Sequence, residues 1–147
     1  MIQNMKKIAV SLLGALSLFI HVGCDSGIAI DDAVALNGYW QIESVRLEDG
    51  TLKDFRFSPL VDYIELNGNQ GVRKKVTPKL DGTFEVTRSS EAFTLIIEND
   101  SLKMLYETPY SNWQETIIAI APGRIKILNR EGKIYTYKTY EKIDLTN

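Results

Sequence analysis

From Tyr39 onward, apolar and polar residues alternate in short runs, and no stretch sustains the three-to-four-residue spacing of an amphipathic helix. The runs are Tyr39–Leu47, Leu60–Leu66, Val72–Val76, Thr83–Thr87, Phe93–Glu98, Leu102–Glu107, Trp113–Ala121, Arg124–Asn129 and Lys133–Ile143. Between them stand Asp49-Gly50, Asn67-Gly68, Asp81-Gly82, Asn99-Asp100, Pro122-Gly123 and Asn129 to Gly132, all residue types that favour turns. "IIENDSLKML" and "IKILNREGKIYTY" each place an Asn-led turn between two alternating runs, the signature of a hairpin. Consecutive hairpins leave no room for the long crossovers of a parallel sheet. The pattern therefore predicts an all-β chain, an antiparallel meander of about eight or nine strands. Closing that meander into an up-and-down barrel removes the sheet edges that invite pairing with other chains.

Alternation assigns Trp40, Ile42, Ile64, Leu66, Phe84, Val86, Phe93, Leu95, Ile97, Leu102, Met104, Tyr106, Trp113, Ile117, Ile125 and Ile127 to the interior. Such a set suffices as the core of a domain of about 110 residues. The one basic cluster, Arg73-Lys74-Lys75 between Val72 and Val76, reads as a solvated strand face.

The pattern before Tyr39 is different. Lys6 and Lys7 precede "IAVSLLGALSLFI", Ile8 to Ile20, which carries no charge. At 13 residues this run is too short for a bilayer-spanning helix, which needs about 20, and it has the layout of a secretory signal. It ends at Val22-Gly23-Cys24 rather than at a small-x-small site, and in this it resembles bacterial lipoprotein signals. That resemblance implies a signal peptide over residues 1–23, cleavage before Cys24, and acylation of Cys24 by palmitate-like chains. It also implies a cell-envelope address, lipid-anchored to the outer membrane on either face. The pattern usually has Leu where this chain has His21, and Ala or Ser where it has Val22. Two or more acyl chains make a stable anchor. Residues 24–36 then read as a lipidated tether, and residues 37–147 as the folded domain.

His21 and Cys24 are the only histidine and cysteine in the chain. The 124 residues after position 23 thus carry no histidine, and their one cysteine is consumed by lipid. Histidine or cysteine metal sites, cysteine nucleophiles and Ser-His-Asp triads need residue types that the domain lacks. Carboxylate chemistry survives, because paired acids can hydrolyse glycosides. However, Glu48-Asp49-Gly50 and Glu98-Asn99-Asp100 read first as turns. No catalytic residue, metal site or cofactor is assigned, and the expectation is a protein that is not an enzyme. Without Lys6 and Lys7, 15 basic residues face 19 acidic ones, a balance that does not point to nucleic acid.

"LNGYWQIESVRLEDG", Leu36 to Gly50, resembles the opening of a lipocalin-like domain, in which Gly-x-Trp begins the first strand. Gly38-Tyr39-Trp40 stands at that place, and the resemblance extends over roughly Leu36 to Ile143. It implies that Gly38 and Trp40 close one end of the barrel, with a cation from the last strand, Lys138 or Lys142, packed over the indole where the family usually has Arg. It further implies a membrane-tethered module that binds a small apolar or amphipathic molecule at its open end. Tyr63, Tyr106 and Trp113 are the candidate mouth residues. The alternative is a non-enzymatic envelope domain for structure or protein interaction, its barrel filled by its own side chains. The tyrosines of "IYTYKTYEKI" would then mark a partner surface.

Overall fold

In a computed structural model of the chain, which describes residues 27–86 and 90–142, the alternation resolves into strands. They are β1 (Gly38–Arg46), β2 (Leu52–Asp54), β3 (Val61–Asn67), β4 (Gln70–Pro78), β5 (Phe84–Val86), β6 (Glu91–Glu98), β7 (Ser101–Glu107), β8 (Asn112–Ala121), β9 (Arg124–Leu128) and β10 (Ile134–Thr139). The signal run, His21 and Cys24 lie outside the described residues. Every pairing is antiparallel, and β10 pairs with β1 to close an eight-stranded barrel to which β2 and β5 are additions. The turns behave as their chemistry requires. Asn99 and Asp100 both take positive φ, 51° and 57°, which lets a two-residue turn join β6 to β7 with the twist of the strands.

The barrel has two distinct ends. One gathers the start of β1 with the β3–β4, β6–β7 and β8–β9 turns. The other gathers the end of β1, the start of β3 and the loops before β6, β8 and β10. The first end is closed by a short 3-10 helix, Ile30–Leu36, which the sequence pattern had assigned to the tether. Ala33 and Leu36, one turn apart, are fully buried on the barrel core, and Ile28 packs against the same cluster. Full burial of a leucine side chain is worth about 1.5–3 kcal/mol, so this segment belongs to the folded unit. A domain beginning at residue 37 would lack its own lid.

Inside, Trp40, Ile64, Phe93, Leu95, Leu102, Met104, Tyr106, Ile117, Ile125 and Ile127 form one buried cluster, as alternation requires. Glycine is needed at position 71, where a Cβ would lie 2.3 Å from the Phe93 ring. Three expected core residues differ. Ile97, one residue before the end of β6, keeps the inward phase opposite Leu102 but is 46% exposed. Phe84 and Val86 share a face with Val76 and Pro78 of β4, which is the outer face because Asp62, Arg73 and Lys75 occupy the inner phase of β3 and β4. Phe84 stacks on Tyr39, with ring centroids 4.2 Å apart, and Val86 is exposed. Strand β2 was not expected; its three exposed residues lack the apolar phase by which a strand is read.

Candidate functional site

The closed end is built on Trp40. Its indole N–H donates to the Leu36 carbonyl at 2.7 Å, so burial of the ring leaves no polar atom without a partner. The expected cation over this ring is absent from the described residues. Lys138 pairs with Gln41, in the outward phase of β1, and is exposed. Lys142 places its ammonium 5.9 Å from the Phe84 ring on the outer wall. Strand register thus turns Lys138 away from Trp40, Lys142 lies beyond the end of β10, and the 3-10 helix takes the covering role. Gly38 begins β1 with φ 126°, a conformation strained for any residue with a Cβ.

Toward the open end the interior changes character. Arg73 of β4, 8% exposed, is surrounded by four oxygen-bearing side chains. Its guanidinium donates to both Asp62 oxygens, Nε to Oδ1 at 3.3 Å and Nη2 to Oδ2 at 3.2 Å. It also donates to the Tyr137 hydroxyl at 2.7 Å, the Tyr106 hydroxyl at 3.3 Å and the Glu115 carboxylate at 2.9 Å. The Tyr106 hydroxyl donates in turn to Glu115 at 3.1 Å. Lys75, two residues along the same face, completes an ion pair with Asp62. Two cations and two carboxylates therefore share one enclosure. Among the described residues no buried side-chain nitrogen or oxygen lacks a hydrogen-bond partner.

The electrostatics follow from that enclosure. Burial alone would raise the Asp62 pKa, but Arg73 and Lys75 outweigh it and hold the carboxyl below its ordinary value. Burial works against charge on Arg73, and the surrounding tyrosine oxygens and carboxylates more than offset it, so its pKa is raised. For Lys75, burial wins over Asp62 and lowers the pKa. Burial pushes the Tyr137 hydroxyl up to about 12 and the Tyr106 hydroxyl well above its ordinary value. Both phenols stay neutral donors and acceptors across any physiological pH.

Of the three expected mouth residues, the structure brings two together. Tyr106 and Trp113, paired across β7 and β8, stack with centroids 4.8 Å apart and planes 8° from parallel. Tyr106 is buried and Trp113 half-buried above it. Tyr63 is elsewhere. It points to the outer face, 4.8 Å from the Tyr39 ring, and its hydroxyl donates to Glu65 at 3.2 Å. Its neighbour in register is Lys74, also outward, whereas its sequence neighbours Asp62 and Ile64 point in. The partner surface expected from "IYTYKTYEKI" also divides: Tyr137 is inside and Tyr135 packs against the core, while Tyr140 lies on the outer wall near Phe84.

Sequence reasoning missed Asp62, Arg73, Lys75, Glu115 and Tyr137. A signal was present, since Glu115 lies midway between inward Trp113 and Ile117, and Asp62 two residues before inward Ile64. The larger concavities among the described residues are peripheral. One of about 510 Å³ runs along the wall where β4 meets β6, between Glu65, Val72, Thr94 and Glu107. Another of about 550 Å³ lies at the closed end, between Ile28, Trp40, Ile120 and Pro122. Among the described residues no cluster of three or more His, Cys, Asp or Glu side chains is arranged to hold a metal ion.

Residues 36–127 match the model of a family described as lipocalin-like domain. No curated protein matches the sequence significantly. Among solved structures, lobster apocrustacyanin A1 is similar with a TM-score of 0.42 at 11% identity, over 76% of this chain and 64% of that one. The chain thus aligns with less than two thirds of the length of apocrustacyanin A1. Apocrustacyanins C2 and C1 each give a TM-score of 0.42 at 10% identity, over 82% of this chain and 74% of theirs.

Proposed function

The chain belongs to the lipocalin-like domain family, and we propose that it is a lipid-anchored, non-enzymatic binding module that takes a small amphipathic molecule at the open end of its barrel. The observation that carries this reading is the half-buried Trp113 lying flat on Tyr106, whose hydroxyl is itself tied to Glu115 and Arg73. An aromatic face beside a fixed pattern of charges is what an amphipathic ligand needs: burial of its apolar part supplies affinity, and a few polar groups orient the rest. The site is shallow, because Arg73 and its partners fill the barrel beneath it. Anchoring rests on the uncharged run ending at Cys24 and places the module in the cell envelope, on the outer membrane. Replacement of Cys24 by Ser should shift the protein from the membrane to the soluble fraction and abolish uptake of labelled fatty acid.

The filled interior supports a second reading, a domain that works through its outer surface and holds no small molecule. Tryptophan emission separates the two. Titration with fatty acids, isoprenoids and haem-like compounds should change emission saturably, and the change should vanish in Trp113→Phe but persist in Trp40→Phe. No saturable change in any of these series, together with no co-purified small molecule in native mass spectra, favours the interaction domain.

A further inference from the structure

We infer that the anchored protein stands with the closed end of its barrel against the lipid surface and the Trp113 mouth facing away from it. This rests on acylation of Cys24 and adds an orientation to it. The first described residue, Gly27, sits at the β6–β7 turn of the closed end, so near that a Cβ there would lie 2.5 Å from the Asp100 carbonyl oxygen. The next residue, Ile28, packs against the core cluster, and Ile30–Leu36 continues directly into the lid. The chain therefore leaves the fold at the closed end and is fastened there.

Length decides the rest. Three residue steps separate Gly27 from Cys24, and a fully extended chain covers at most about 3.3–3.6 Å per residue, roughly 10 Å in all. Strands as long as β1, tilted as barrel strands are, give a wall roughly 20–25 Å tall. A lipid held at Cys24 cannot reach around a wall twice its tether's length, so the mouth cannot turn to the bilayer. The closed-end surface also suits an interface, because Ile30 and Val34 stand exposed on the outer side of the 3-10 helix, Val34 at 70%. Asp31, Asp32 and Asp100 lie on the same end, so anionic headgroups do not attract it; tether and apolar contact set the orientation. By contrast, the most exposed aromatics among the described residues, Phe57 at 73% and Tyr110 at 97%, are on open-end loops and would be the natural lipid contacts of an untethered barrel.

The test uses the acylated full chain in phosphatidylethanolamine–phosphatidylglycerol vesicles carrying a headgroup-linked energy acceptor. A donor is attached through Val34→Cys or Tyr110→Cys, Cys24 being blocked by its own lipid. Transfer should be at least twofold more efficient from position 34 than from position 110. Inserting about 20 Gly and Ser residues after Asp25 should erase the difference, because such a linker can span the barrel. Equal or greater transfer from position 110 in a chain whose intact mass shows the acyl groups overturns the orientation alone. An unacylated mass with no vesicle binding overturns the lipoprotein reading, and the orientation with it.

Discussion

The two halves of the barrel interior are built on opposite principles. At the closed end, Trp40, Leu36, Leu95, Leu102 and Ile117 exclude water by apolar contact, and one hydrogen bond, from the indole to Leu36, satisfies the only side-chain polar group among them. Toward the open end, Arg73, Asp62, Lys75 and Glu115 are enclosed as charges, and every one is paired. Apolar burial is non-directional and tolerates exchange of similar volumes. A buried ionic cluster loses hydration on folding and recovers it only in one geometry. Register is therefore held most strictly toward the open end, where strands β3, β4, β7, β8 and β10 must align for Arg73 to reach all its partners.

The largest effects come from breaking each half at its centre. Trp40→Ala removes a fully packed ring and should cost about 3–5 kcal/mol in urea unfolding. Arg73→Ala should cost about 3–5 kcal/mol as well, by another route, since it leaves Glu115 without a cation and Asp62 with Lys75 alone. The quadruple change Arg73→Met, Asp62→Leu, Lys75→Met and Glu115→Leu distinguishes them. It removes the charges together, so stability should return to within about 1–2 kcal/mol of the parent while any ligand response at Trp113 is lost. If Arg73→Ala alone costs less than about 1 kcal/mol, the cluster is hydrated and the contrast between the halves fails.

The same contrast explains what could be read in advance. The closed half was legible because its strands alternate apolar with polar, so that Leu95 and Leu102, or Ile125 and Ile127, declare their face. The strand order was legible because each turn carries its own chemistry. The open half was hidden by the rule that made the closed half plain. Charged residues in alternation are assigned to solvent, so Arg73 and Lys75 were grouped with Lys74, although the strand pleat separates them. Tyr63, a candidate mouth residue, lies on the outer wall because Asp62 and Ile64 on either side hold the inner phase, as the interior assignment of Ile64 and Leu66 already implies. Pairing across strands, which a sequence does not display, is what makes a buried arginine affordable. The lid was missed because a 3-10 turn offers only Ala33 and Leu36 as an apolar stripe, too short for a periodicity.

The alkaline limb of the stability curve sharpens the comparison further. Tyr137 has its pKa raised to about 12, so the folded state keeps a proton that the unfolded state gives up near pH 10. The contribution is fully present below pH 10 and is lost as pH rises from 10 to 12, in all by roughly 2–3 kcal/mol. Tyr106 acts in the same direction. Lys75, lowered from its ordinary value, acts in the opposite sense just below pH 10.5. The measurement is therefore the difference between parent and Tyr137→Phe across pH 9 to 12, in which Lys75 cancels. The parent should lose stability faster, and parallel curves would mean that the phenol is open to solvent.

Within the basic run itself the smallest effect is the most specific. Lys74 points outward, with its ammonium 6.0 Å from the Tyr63 ring, and an exposed cation–π contact is worth about 0.5–1 kcal/mol at most. Lys75 points inward against Asp62, so its loss leaves that carboxylate with Arg73 as its remaining cation. Lys74→Ala should cost no more than about 0.5–1 kcal/mol, whereas Lys75→Ala should cost about 1–2 kcal/mol, less than Arg73→Ala because its side chain is 34% exposed. The acid limb gives the two variants separate signatures. Asp62 is held below its ordinary pKa by Arg73 and Lys75, so its contribution is present above about pH 4 and lost as pH falls below that. Removing Lys75 raises the folded pKa of Asp62 toward the unfolded value and should flatten that limb, while removing Lys74 should leave its slope unchanged. Equal acid slopes for the two variants would place both lysines on one solvated face and return β4 to the reading its sequence first suggests.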